Sequence, residues 1–392
     1  MTQQYAERAT AAAPRGARNA DLRDLVTILE DHRTRKLDVV TSASALSFRD
    51  GNIQVEGIER QITEDGVTDV DGTYRPTAVA DEGIADKLKI PVAYLRRMRA
   101  ENVPLLDENV NAWLRQEPHR RFMLRALQGD SAPGATPAEG VARALMSNSY
   151  KVMDNLDILL AALEGVQKSG HPTNITGCDL TDRRMYVRVE SEAVAVMAPE
   201  LLSGYRSPFD GRSGDELPIV SAGFVITNSE VGAGAWSVTP RVVMQVCTNR
   251  LTMPMDVMRA VHIGAKHDEG VVSWSEETER KELAVITSKT ADAVRTFLSR
   301  DYVEAKLREI QAAAGKPVAE PTKAIEHVTK TLKIPNETKE TILAHFIRGG
   351  QITAGGVMQA VTSTAQTLTD ADQAATLEAL ALPALAAAAA HG

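Results

Sequence analysis

Trp236-Ser-Val-Thr-Pro-Arg-Val-Val-Met-Gln-Val-Cys-Thr-Asn-Arg250 is the stretch on which the fold turns. Its even positions, with Trp236, Val238, Val242, Met244 and Val246, are largely apolar. Its odd positions, with Ser237, Thr239, Arg241, Gln245 and Asn249, are largely polar. A period of two marks a half-buried strand. Upstream, Phe224 and Ile226 fall on one side and Val225 and Thr227 on the other, and Glu230-Val-Gly-Ala-Gly234 supplies glycines for a reversal between two long strands. The expectation is a central antiparallel sheet over Ile219–Leu251, with one face free to present Arg241, Gln245 and Asn249.

Before this centre the pattern is mixed. Leu22, Leu25, Val26 and Leu29 predict an amphipathic helix over Asp21–Arg35. Leu46-Ser-Phe48 and Asn52-Ile-Gln-Val55 read as strands about an Asp50-Gly51 turn. From Asp81 to Gln116 the apolar spacing is helical, and Pro91 is placed to start a second helix, so the segment is a loose helix-turn-helix with a third helix over Pro104–Leu114. The short echo Leu88-Lys-Ile-Pro91 and Leu332-Lys-Ile-Pro335 precedes a helix in both places. Asp130–Pro137 is a linker-like loop. Beyond it come a strand at Ala142–Asn148, a helix at Asn155–Lys168 and strands at Asn174–Cys178 and Arg184–Val196. Ser273-Trp-Ser-Glu276 is a capping box opening a long helix, and the chain beyond it is helical, with one more start near Thr367-Leu-Thr-Asp370. The expected class is α+β: a central antiparallel sheet packed with helices, then an all-helical C-terminal region. The expected divisions are a disordered tail at 1–20, an N-terminal α+β region with a helical hairpin at 21–129, the sheet domain at 140–272 and the helical region at 273–392.

Composition narrows the function. A net charge of −8 over 392 residues excludes a surface that is basic all round, but not a local basic groove. Aromatics make up only 4%, which argues against broad base-stacking platforms. Cys178 and Cys247 cannot build a disulfide framework and read as small buried strand residues. Neither a secretory leader nor a run of about 20 apolar residues is present, so a cytoplasmic protein with no membrane partner is expected.

Three stretches could carry chemistry. Between Lys87 and Arg125, nine basic residues stand against four acidic ones, which suits phosphate contacts; the plain alternative is a solvated helical hairpin. Arg143-Ala-Leu-Met-Ser-Asn-Ser-Tyr-Lys-Val-Met-Asp-Asn155 passes from strand to helix, with Asp154 or Asn155 as an N-cap. His262-Ile-Gly-Ala-Lys-His-Asp-Glu269 lacks a third ligand for a metal site. The acidic loop Thr63–Gly72 fails as a calcium loop, because Val67 falls on the third ligand position. No phosphate loop, strand-linked GxGxxG or GxSxG elbow occurs, so no catalytic residue, metal or cofactor is assigned.

These stretches resemble the phage- and plasmid-borne family called domain of unknown function 932, roughly over Leu46–His267. Leu88-Lys-Ile-Pro-Val-Ala-Tyr94 is similar to the family's Leu-Gly-Ile-Pro-x-x-Tyr. Arg143, Ser147, Tyr150, Asp154 and Asn155 are similar to its Arg-x-x-x-Ser-x-x-Tyr-x-x-x-Asp-Asn. Arg241 with Val246-Cys-Thr-Asn249 and Leu251 resembles its Arg-Val-Val-Cys-Thr-Asn-x-Leu, and His267 stands at a recurrent histidine. Lys89 replaces the glycine and Asn148 a frequent aspartate. The resemblance implies a mobile-element origin, and the order of elements is compatible with phage single-strand annealing proteins, by analogy of fold.

The expected function is a phage-encoded DNA-binding protein for single-strand binding or annealing in recombination or replication, homo-oligomeric and, by the same analogy, ring-forming. Its phosphate contacts are expected from Arg96, Arg97, Lys151, Arg183, Arg184, Arg241 and Arg250, with Tyr150, Gln245 and Asn249 positioning the strand. Two other classes stay open: a helix-turn-helix regulator reading duplex DNA through Arg96–Arg99, and a non-catalytic assembly or anti-host interaction protein.

Overall fold

The computed structural model describes residues 16–58, 61–63, 66–68, 70–129, 140–150, 153–246, 249–252, 257–260, 270–271 and 276–391. In chain order the strands are β1 (Ala17–Ala20), β2 (Lys36–Ser42), β3 (Leu46–Arg49), β4 (Asn52–Val55), β5 (Gln61–Thr63), β6 (Gly66–Thr68), β7 (Gly72–Pro76), β8 (Arg121–Leu127), β9 (Gly140–Ser147), β10 (Asn174–Leu180), β11 (Met185–Met197), β12 (Ile219–Asn228), β13 (Trp236–Met244), β14 (Asn249–Thr252), β15 (Met258–Ala260) and β16 (Gly270–Val271). The helices are α1 (Leu22–Arg35), α2 (Ala78–Leu88), α3 (Val92–Glu101), α4 (Val103–Gln116), α5 (Asn155–Ser169), α6 (Pro199–Leu202), α7 (Glu276–Phe297), α8 (Arg300–Ala314), α9 (Pro321–Thr331), α10 (Asn336–Gly349), α11 (Ala354–Thr367), α12 (Ala371–Ala379) and α13 (Ala381–His391). One sheet is antiparallel, β1-β10-β11-β12-β13-β14, with β15 also beside β13. A second, β16-β2-β8-β9-β7-β4-β3, is mixed because β7 and β9 run parallel, and β5 and β6 form a separate two-stranded sheet. With the helical C-terminal region from α7 to α13, the class is α+β.

The stretch at 236–250 is not one strand. β13 ends at Met244, a turn covers Gln245 and Val246, and β14 pairs back with Met244 opposite Asn249 and Val243 opposite Arg250. The alternation hides this reversal because Val246 is itself fully buried, so the apolar rhythm carries on through the turn. Pro240, which has no N–H to donate, falls between the segments that pair with β15 (Trp236–Val238) and with β14 (Arg241–Met244).

The free face expected on this sheet is also corrected. Every residue of β13 is buried. Phe224, Ile226, Trp236, Val238, Val242 and Met244 join the main core with Leu25 and Leu29 of α1 and Leu156 and Leu159 of α5. Full burial of Phe224 contributes about 1.5–3 kcal/mol. On the opposite face α12 lies against the strands, with Ala371 packed on Tyr186 and Val225. The odd positions are polar because their partners are polar, not because they meet water. Thr227 and Ser237 pair through their hydroxyls at 2.7 Å, and Arg241 donates to Glu378 of α12 at 2.6 Å.

The expected divisions are crossed in three places. Ala17–Ala20, assigned to the tail, forms the edge strand β1 beside β10; residues 1–15 lie outside the described residues. β9, assigned to the sheet over 140–272, instead joins β8 and β7 in the mixed sheet, and β16 returns to pair with β2. Proximity in sequence did not decide these pairings. β9 lies close to β10 along the chain, but its apolar residues Ala142 and Leu145 complete the core under α2–α4. α2 rests tightly on β9 at Gly83, where a Cβ would stand 2.4 Å from the Leu145 carbonyl oxygen.

The Leu-Lys-Ile-Pro echo has a structural meaning. Lys89 closes α2 at φ 58° and Lys333 follows α9 at φ 54°, both left-handed. In each case the next amide reaches back into the helix, Ile90 to the Ala85 carbonyl at 2.9 Å and Ile334 to the Thr329 carbonyl at 2.8 Å. The following proline then starts a new helix. The stop is glycine-like, and position 89 is where the resembled family carries glycine. Lys89→Gly and Lys333→Gly are each expected to raise stability by up to about 1 kcal/mol. Urea unfolding midpoints measure this, and a fall in both would contradict it.

Candidate functional site

Two charged assemblies stand out, one closed and one open. The closed one lies where the sheets meet. Register sets Asp38 of β2 directly opposite Arg125 of β8, and Arg143 lies on the neighbouring β9. Alternation sends their flanking residues Leu37, Val39, Leu124 and Ala126 into the core under α2–α4, which leaves the charged side chains on the other face. Towards that face come the loop after β12, with Glu230, and the start of α5, with Asp154 and Asn155. Val231 anchors the loop among Val40, Met123, Ala144 and Met146 of the mixed sheet.

The contacts are dense. Arg125 reaches Asp154 at 2.5 Å, Asp38 at 3.2 Å and Glu230 at 3.5 Å. Arg143 pairs with Glu230, whose other oxygen accepts the Asn155 amide at 2.6 Å. Lys36 reaches Asp154 at 2.5 Å. Asn228 donates to the side-chain oxygen of Asn155 at 2.9 Å, and the Tyr150 hydroxyl donates to the Ser229 carbonyl at 3.1 Å. Three carboxylates therefore face three cations.

Burial alone would raise the carboxyl of Asp154, but Arg125 and Lys36 overcome it and hold it well below the usual range. Glu230 follows the same logic, burial being outweighed by Arg125 and Arg143. Asp38 goes the other way, raised by burial despite Arg125. Burial pushes the Tyr150 phenol up to about 12. Asp154 and Glu230, held ionised on arginines, and a phenol held neutral are poorly suited to proton transfer near neutral pH. This is a junction between sheets, and it gathers Arg143, Tyr150, Asp154 and Asn155 of the strand-to-helix stretch.

His32 of α1 lies within the field of this junction. Burial, with Arg143 next in weight, lowers its pKa to about 4. A histidine that is neutral when folded and titrates at 6.5 when unfolded destabilises the fold as pH drops from 6.5 towards 4, because the unfolded chain binds the extra proton. His345, also lowered by burial, acts in the same direction. A melting temperature that falls over this window, and falls less in His32→Leu, is the expected result. Equal slopes in the two proteins would contradict it.

The open assembly lies on α2, α3 and the turn between β10 and β11. Arg96 and Arg183 both bond the same Glu82 oxygen, at 2.5 and 2.6 Å. Their side chains are 54% and 36% exposed. The hydrogen bond from Arg183 and the charge of Arg96 hold the Glu82 carboxyl below its usual range against partial burial. Arg97 stands on the outer side of α3, 72% exposed, bonded to Glu101 at 2.8 Å. Beside Arg183 opens a cleft of about 460 Å³, lined also by Arg18, Val79, Asp182, Thr369 and Asp372.

The remaining nominated residues are dispersed. Arg184 turns inward to the Ala233 carbonyl at 2.9 Å, in the loop after β12. Arg241 is only 6% exposed and held by Glu378, so its assignment to a nucleic-acid surface is withdrawn: α12 covers it. Gln245 is half-buried and donates to the Ser221 hydroxyl at 2.9 Å. Asn249 and Arg250 have β14 backbone, and their side chains are not described. Lys151, Cys247 and the His262–Glu269 stretch lie outside the described residues. Arg99, part of the duplex-reading alternative, is committed internally, to Asp81 at 2.6 Å and to the Gly51 carbonyl at 2.8 Å. Cys178 is buried, and its thiol is pushed up to about 11 by that burial. Among the described residues no group of three or more His, Cys, Asp and Glu side chains could hold a metal ion, and no single helix is long and apolar enough to cross a membrane.

Sequence reasoning passed over Glu82, Glu230, Asp38 and Asn228 as functional candidates, and counted Arg125 in a basic surface segment although it is buried in the junction. Glu230 left one faint signal, a lone acid beside a glycine-rich turn. No family model, no curated protein and no solved structure matches the chain.

Proposed function

We propose that this chain binds DNA by its phosphate backbone, at the surface formed by α3 and the β10–β11 turn. The observation that carries the reading is the convergence of Arg96 and Arg183, far apart in sequence, on one Glu82 oxygen. Two solvent-reaching guanidinium groups share a single carboxylate, and each keeps donors for a phosphate oxygen, with Asp182 and Asp372 as further acids near Arg183. Arg97 extends the cluster along α3. The resemblance to domain of unknown function 932 suggests a mobile-element setting, and the analogy of fold to annealing proteins adds recombination or replication with an oligomer as the working form.

The duplex-regulator reading loses ground because Arg99 bonds within its own fold and the arginines left on α3 share their surface with a strand turn. The test is fluorescence anisotropy at low salt with labelled single- and double-stranded oligonucleotides. Binding that falls steeply as salt rises is expected, since phosphate contacts release counterions. No binding to either form at micromolar protein overturns the reading. Mass photometry of free and DNA-bound protein reads the oligomer.

A further inference from the structure

We infer that Tyr94 and Trp113 are base-stacking positions that make the α3–α4 surface selective for single-stranded nucleic acid. This rests on the backbone-binding reading above. Aromatic residues are scarce in this chain, and the large ones among the described residues are mostly buried: Trp236, Tyr205, Phe122 and Phe224 are all in the core. Three are prominently exposed, Tyr94 at 42%, Trp113 at 43% and Phe209 at 50%. Phe209 rests edge-on against His345, with ring centroids 5.7 Å apart. The other two lie on α3 and α4, the helical pair that also carries exposed arginines.

The helix period explains how they come to the surface. Leu95 and Met98 face the core from α3, which turns Tyr94, Arg96 and Arg97 outward. Tyr94 and Arg97 are three residues apart and therefore neighbours on one side of the helix. On α4, Leu106, Val110 and Leu114 face the core, and Trp113 stands at the edge of that stripe with Arg115 also exposed.

An exposed aromatic face beside a cation fits two kinds of partner, a protein surface or a nucleobase. Charge complementarity favours the second: with the buried Arg125 and the internally bonded Arg99 set aside, the 87–125 segment still has seven basic residues against four acidic ones in an otherwise acidic chain. Bases in a duplex are already stacked on each other, so these rings can gain a partner only from an unpaired strand. The phosphates of that strand would lie on Arg96, Arg97 and Arg183.

The test compares three labelled ligands of equal length: oligothymidine, a strand of abasic tetrahydrofuran residues, and a duplex. The abasic strand keeps the phosphates and loses the bases. Wild type is expected to bind oligothymidine at least about tenfold more tightly than the abasic strand. Tyr94→Leu and Trp113→Leu should each lower that ratio severalfold, with abasic binding unchanged, and Tyr94→Phe should preserve it. Equal affinity of wild type for the two strands, or a ratio untouched in both leucine variants, overturns the inference and leaves backbone binding standing. Failure of wild type to bind any of the three overturns both.

Discussion

Replacing Glu230 with alanine is expected to lower the unfolding free energy by about 3–5 kcal/mol, the usual effect of stripping one partner from a buried ion pair. Glu230 is 4% exposed, and Arg143 and Arg125, at 3% and 2%, have no route to water. Without the carboxylate, Arg143 loses its acidic partner and the Asn155 amide loses its acceptor at the first turn of α5. Glu230→Gln keeps an acceptor for that amide but not the charge, so it should fall between wild type and alanine. The pair Glu230→Leu with Arg143→Met should recover part of the loss, because it removes both members of the buried ion pair while the Asn155 amide still lacks its acceptor. Urea denaturation measures all three. A loss under about 1 kcal/mol for Glu230→Ala would mean that water reaches the junction and that it holds the sheets less firmly than its geometry says.

The junction also marks where sequence reading reached its limit. Helix boundaries were legible because their signals are local: Asp21 caps α1, Gly170 closes α5 in the left-handed conformation, and Asp370 caps α12 by accepting from the Gln373 amide. Strands were legible as strands, from alternation. What alternation could not report is the identity of the second face. A row of Ser, Thr and Arg looks the same whether it meets water or a helix that brings Glu378, and only the tertiary placement of α12 separates the cases. For the same reason the Arg143–Asn155 stretch showed polar groups in a suggestive order, but its main partner Glu230 lies 75 residues beyond Asn155. Arg96 and Arg183 were both nominated from charge. Their meeting at Glu82 was not visible, because a half-buried helical glutamate has no pattern of its own.

Glu82 supplies the sharpest test of the proposed function, because its removal should strengthen binding. In the folded protein its carboxylate satisfies Arg96 and Arg183 together, and a phosphate approaching either guanidinium meets that negative charge. Glu82→Gln keeps the size and one acceptor while removing the carboxylate charge that both arginines share. Affinity for an oligonucleotide at low salt is expected to rise roughly tenfold, with a steeper dependence on salt concentration. Arg96→Ala and Arg183→Ala should each weaken binding by about the same factor and flatten the salt dependence by close to one contact. Little stability is at stake in any of these changes, since all three side chains reach solvent and exposed ion pairs add little to folding. Misfolding explains a loss of affinity but not a gain. Opposite signs from substitutions at one spot would therefore tie the phosphate contact to this cluster, whereas a Glu82→Gln variant that binds no better than wild type would remove the cluster from the interface.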